Sequence, residues 1–110
     1  MVYDDGMIYE GSFHNNKKHG PGVLHYTSGP RLDGNWKNDM IHGSGTYYYP
    51  DGRVDLRSYR NGDCVGEGVQ YSADRTQTFL LNCGRKKKWI NATHASRIAS
   101  RLGLGIPRRS

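Results

Sequence analysis

Residues 9–31, YEGSFHNNKKHGPGVLHYTSGPR, align without a gap on residues 32–54, LDGNWKNDMIHGSGTYYYPDGRV. Columns that agree at this offset of 23 include Gly11 with Gly34, Phe13 with Trp36, His19 with His42, Gly20 with Gly43, Gly22 with Gly45, Tyr26 with Tyr49 and Gly29 with Gly52. A fixed period of this length is the mark of a repeat architecture, in which each unit buries its apolar face only against its neighbours. The register extends in both directions. Residues 1–8 match the end of a unit, residues 55–77 form a degenerate third copy, and residues 78–84 begin a fourth. The third copy keeps Tyr59, Gly66 and Gly68 but carries Arg57 and Arg75 where the first two have glycine.

Within a unit the apolar period is near 2. Tyr9, Gly11 and Phe13 share one face of a strand and Glu10, Ser12 and His14 the other. A second strand is expected over residues 22–26, after a loop of about eight residues. The segments around Gly29 and Gly52 have turn chemistry. Each unit is therefore expected to be a β-hairpin, and the units to continue one antiparallel meander. Gly11 and Gly34 are expected to leave room for a ring from the neighbouring strand, and Gly20 and Gly22 to ease a bulge or left-handed backbone where the chain re-enters the sheet.

The strings YEGSF…KKHGPGVLHY…SG and LDGNW…MIHGSGTYYYPDG resemble the MORN repeat (membrane occupation and recognition nexus), over residues 2 to 82. The resemblance implies a mainly β solenoid of tandem antiparallel hairpins forming a single elongated, twisted sheet. It also implies a role in scaffolding, dimerisation, protein binding or membrane attachment, and no catalysis, because the enzymes of that family carry a separate catalytic domain. The repeat glycines are Gly11, Gly20, Gly22, Gly34, Gly43, Gly45, Gly66 and Gly68.

The whole chain fits this reading. It has 110 residues, with 15 glycines and 12 aromatic residues, which excludes a helical bundle and a disordered chain alike. Its net charge of +6 is unevenly placed: residues 1–84 hold 8 Lys/Arg and 10 Asp/Glu, whereas residues 85–110 hold 8 Lys/Arg and no acid. That basic tail contains one predicted helix over residues 92–102, with Asn91 as N-cap, Ala95, Ile98, Ala99 and Leu102 as the apolar stripe and Gly103 at C′. Laid on Phe79, Leu80 and Leu81, the helix would close the exposed end of the solenoid.

Candidate sites divide in two. Tyr9, Phe13, Trp36, Tyr47, Tyr49 and Tyr59 form an aromatic face that is either core alone or core plus a groove for a protein partner or a second copy of the chain. The run Arg85, Lys86, Lys87, Lys88 and Trp89, with Arg97 and Arg101, is either a solvated linker or a contact for anionic lipid or an acidic partner. Nucleic acid ranks below both, since the repeats lack a basic face with interleaved aromatics. No residues have the spacing of a nucleophile elbow, a phosphate loop or a metal site, so no catalytic residue, cofactor or metal ligand is assigned. The recurrence of His19 and His42 belongs to the repeat. Cys64 and Cys83, 19 positions apart, read as free thiols, and Asn91-Ala92-Thr93 as a chance glycosylation pattern. Residues 1–30 offer no signal-peptide core, so the expected location is cytoplasmic, either free or peripheral at a membrane or the cytoskeleton. The alternative to a self-contained module is a regulatory fragment of a larger enzyme with such repeats.

Overall fold

A computed structural model of the chain describes residues 6–82 and 88–104. Eight strands, β1 (Ile8–His14), β2 (Lys17–His25), β3 (Arg31–Lys37), β4 (Met40–Tyr48), β5 (Val54–Arg60), β6 (Asp63–Tyr71), β7 (Thr78–Asn82) and β8 (Lys88–Ile90), form one sheet in chain order, each antiparallel to the next. Helix α1 (Ala92–Arg101) follows. The result is the expected mainly β meander, elongated at 42 × 25 × 23 Å.

The hairpins are tighter than the sequence pattern suggested. No eight-residue loop separates the two strands of a unit: β2 already begins at Lys17. The turn is Asn15-Asn16, with φ of 51° and 65°, and it recurs as Asn38-Asp39 (50° and 71°) and Asn61-Gly62 (49° and 88°). Two successive positive φ values define the type I′ turn, whose twist matches that of the flanking strands and which asparagine and glycine tolerate best. The polar stretch after the turn is strand interrupted by a bulge. Two steps along β1, Gly11 to Phe13, span four along β2, Lys18 to Gly22. The same shift falls between Gly34 and Trp36 and between Leu56 and Ser58. Gly20, Gly43 and Gly66 sit in these bulges with φ of 87°, 90° and 70°, the left-handed region expected of Gly20.

Cross-strand partners share a face. Tyr9, Leu24, Leu32, Tyr47, Asp55, Gln70, Phe79 and Trp89 therefore run as one row across the sheet, on what we term the groove face. Its core is Tyr9, Leu24, Leu32, Trp36, Ile41 and Tyr59. The opposite face presents Val54, Leu56, Val69, Tyr71 and Ile90, and α1 lays Ala95, Ile98 and Ala99 on them. Asn91 Oδ1 accepts from the His94 amide at 2.8 Å, and Gly103, φ 72°, follows the C-cap Leu102. These are the expected caps.

The placement of the helix differs from expectation. It covers the face of the C-terminal strands, not the end of the sheet, and of the three residues proposed beneath it only Leu80 packs there. Phe79 and Leu81 alternate with Leu80 and lie on the groove face. The end is formed by β8, which converts Lys88 and Trp89 from a linker into an edge strand paired with Leu80 and Phe79. Cys64 is disulfide-bonded, against the expectation of free thiols; Cys83, the chain's other cysteine, lies outside the described residues.

Ile98 is fully buried between the helix and β5–β6. Ile98→Ala should cost about 2–5 kcal/mol in urea unfolding, while Arg97→Ala, on the exposed side, should stay within about 0.5 kcal/mol. Equal effects would show that the helix is not part of the cooperative core.

Candidate functional site: an aromatic groove on the uncovered face

Among the described residues, the groove face acquires a core without a second layer because rings lie on backbone. A Cβ on Gly22 would stand 2.1 Å from the Tyr9 hydroxyl oxygen, and one on Gly11 would stand 2.4 Å from Gly22 Cα. The ring that crosses the glycine thus comes from the first strand of the same hairpin and covers Gly22 on the second. This differs from the arrangement expected at Gly11, because the Gly11–Gly22 pair brings the two backbones themselves together. Tyr9 Oη donates to Ser12 O at 3.0 Å, and Trp36 Nε1 donates to Gly22 O at 3.1 Å. Phe13 and Trp36 meet the Tyr9 ring edge-on, with centroids 5.0 and 5.8 Å away. Such pairs contribute about 0.5–1.5 kcal/mol each beyond their area.

Beside this cluster runs an open groove of about 400 Å³. Its walls include Leu24, Tyr26, Leu32, Trp36, Tyr47 and Tyr59, with Lys18, Asp39, Met40 and Arg57 at its margins. Of the residues expected to form a groove, Trp36, Tyr47 and Tyr59 line it. Tyr9 is buried beneath, Phe13 is 41% exposed beside Tyr9, and Tyr49 packs edge-on against Tyr47 at 4.9 Å. Lys18, its side chain only 13% exposed, lies over the Trp36 ring at 5.5 Å and pairs with Asp39 at 3.7 Å.

At the groove's far margin stands a buried polar cluster that sequence reasoning missed. Asp55 is fully buried; it accepts from Gln70 Nε2 at 2.8 Å, from Tyr49 Oη at 2.7 Å and from Arg57 Nη2. Burial, reinforced by the hydrogen bond to Asp55, pushes the Tyr49 hydroxyl up to about 12. Burial opposes the Arg57 charge, but Asp55 outweighs it and raises the guanidinium further. The available signal was the joint departure of Asp55 and Arg57 from the repeat columns of Tyr9 and Gly11.

The basic candidates do not gather into one site. Trp89 is 63% exposed on β8 next to exposed Lys88. Arg101 on α1 pairs with Glu67 at 3.3 Å across the opposite face, and Arg97 is exposed on the helix. Arg85, Lys86 and Lys87 lie outside the described residues. Among the described residues, no helix is long and apolar enough to cross a membrane.

The family model for the MORN repeat matches three times, at residues 9–31, 33–52 and 58–77, more than half of the chain. The chain belongs to the MORN-repeat family. No curated protein matches it. Each MORN match takes in a bulge glycine, Gly20, Gly43 or Gly66, and the third begins at Ser58, after Asp55 and Arg57.

Because the Tyr49 hydroxyl is raised in the folded state, the unfolded chain ionises first. The contribution of Tyr49 to stability should be constant below pH 10 and be lost as pH rises from 10 toward about 12. Tyr26, Tyr59 and Tyr71, also raised by burial, act in the same direction. Tyr49→Phe should reduce the fall in urea midpoint across that window and remove a step near pH 12 from the tyrosine ultraviolet titration. An unchanged titration would contradict the assignment.

Proposed function

We propose that this chain is a non-catalytic interaction module that receives a segment of a protein partner in the groove lined by Trp36, Tyr47 and Tyr59. The observation carrying this reading is an asymmetry between the faces. The fold spends a helix on covering Val54, Leu56, Val69 and Tyr71, whereas among the described residues no element covers the groove face, where Met40 and Tyr47 stay accessible above buried Trp36 and Tyr59. Aromatic and apolar walls with a few charged margins suit a peptide whose side chains fill the groove while its backbone stays hydrated at the rim.

Met40 (43% exposed) and half-buried Tyr47 line the groove, Tyr47 packing on the outside of the buried Tyr9 cluster. Met40→Asp with Tyr47→Ala should leave the circular dichroism spectrum intact. In quantitative affinity purification from the native source, the pair should remove a partner that an opposite-face variant, Glu10→Ala, still retains. An identical set of proteins for both variants would sink the groove reading. A second copy of the chain as partner would register as concentration-dependent sedimentation abolished by the groove variant.

A second reading is supported by exposed Trp89 beside Lys88: peripheral attachment to anionic phospholipid through the basic segment. Each basic residue near a charged surface contributes about 1 kcal/mol. Co-sedimentation with phosphatidylserine vesicles should then weaken with salt and be lost on charge reversal at Lys86, Lys87 and Lys88. Binding indifferent to both would exclude it.

A further inference from the structure

Three columns change together in the third repeat. Tyr9 and Leu32 are followed by Asp55, Gly11 and Gly34 by Arg57, and Leu24 and Tyr47 by Gln70. All three new residues lie on the groove face, and Asp55 pairs with Gln70 across β5 and β6. The first two repeats establish that this backbone accepts apolar residues and glycine at these positions. An ion pair over a buried carboxylate is in general no more stabilising than such apolar packing. The polar set is therefore not a requirement of the hairpin, and its structural effect is to fix Arg57.

That effect is specific. Arg57 Nη2 is held by Asp55 and lies 3.2 Å from Tyr49 Oη, and the guanidinium stands 5.5 Å from the Tyr47 ring centroid. Its side chain keeps 29% exposure while Asp55 beneath has none. Held this way, the guanidinium forms part of the groove lining beside Tyr47 and Tyr59. A planar cation fixed in advance at the margin of an apolar groove matches a carboxylate and loses little freedom on binding it. The groove is open, so a bound chain can continue past Arg57, which favours an acidic side chain over a chain terminus.

We propose that Arg57, positioned by Asp55, Tyr49 and Gln70, makes the groove selective for an extended peptide that carries an Asp or Glu side chain beside a large apolar residue. This rests on the groove reading above and adds the chemistry of the occupant. The test is a ¹H–¹⁵N NMR titration of the whole protein with acetyl-Leu-Trp-Glu-Leu-amide and its Gln counterpart. The Glu peptide should shift the Trp36 Nε1–H and Arg57 Nε–H signals and bind about tenfold more tightly than the Gln peptide.

The variant Asp55→Leu/Arg57→Gly/Gln70→Tyr, which copies the second repeat, should bind both peptides alike. Arg57→Gln should do the same and keeps the test decisive if the triple variant fails to fold. Equal binding of the two peptides to the wild type at the groove would overturn the selectivity and leave the groove standing. No shift of groove signals from either peptide up to about 10 mM would overturn both. A preference for the Gln peptide with a free C-terminus would assign the site to a terminal carboxylate and overturn the proposal as stated.

Discussion

The structure depends on the absence of one carbon atom. With a Cβ on Gly22 only 2.1 Å from the Tyr9 hydroxyl, the Tyr9 ring could not lie where it does, across the second strand of its own hairpin. That ring is fully buried although, among the described residues, no second layer lies above the sheet on that side. Gly22 also supplies the carbonyl that accepts from the Trp36 indole, so the same residue links the first hairpin to the second. In the second unit, Gly45 has the same role toward different side chains: its Cβ would stand 3.0 Å from Ile41 Cδ1 and 3.2 Å from Tyr59 Cε2. A thin sheet thus obtains a core by laying side chains on its own backbone, which works only where glycine leaves the surface flat.

That solution serves the first two repeats, and a different one serves the rest. From β5 onward the opposite face acquires Val54, Leu56, Val69 and Tyr71, and α1 completes their burial. β5 is where the two cores overlap, since Val54 and Leu56 face the helix while Asp55 and Tyr59 face the groove. On the groove face of the third repeat Tyr59 stays in the apolar core, while Asp55, Arg57 and Gln70 stand in the columns of Tyr9, Gly11 and Leu24. β5 thus carries the packing for the helix on one face and the polar cluster on the other.

Much of this was legible in the sequence. The offset of 23 gave the repeat, the alternation around Tyr9 gave the strands, and Asn91, the Ala95/Ile98/Ala99 stripe and Gly103 gave the helix with its caps. What was misread has physical causes. Lys17-Lys18-His19 looks like loop because a strand with one open face carries polar residues freely, and the Asn15-Asn16, Asn38-Asp39 and Asn61-Gly62 turns were the stronger hairpin signal. β8 was hidden because a three-residue edge strand has no periodicity to detect and its cations read as linker. Faces cannot be assigned without cross-strand pairing, so Phe79, Leu80 and Leu81 looked equally suited to the helix. The polar cluster at Asp55 was invisible pairwise, because it joins residues up to 21 positions apart, Tyr49 just after β4 with residues of β5 and β6.

The claim that ring-on-glycine packing organises the groove face is tested most directly by a double-mutant cycle on Gly22→Ala and Tyr9→Ala, measured by urea unfolding. The account predicts that Gly22→Ala alone costs at least about 2 kcal/mol and that the two changes are coupled by more than about 1 kcal/mol, because removing the ring frees the space that the new methyl needs. Gly22→Ala within about 0.5 kcal/mol of the wild type, or additive effects in the double variant, would contradict it.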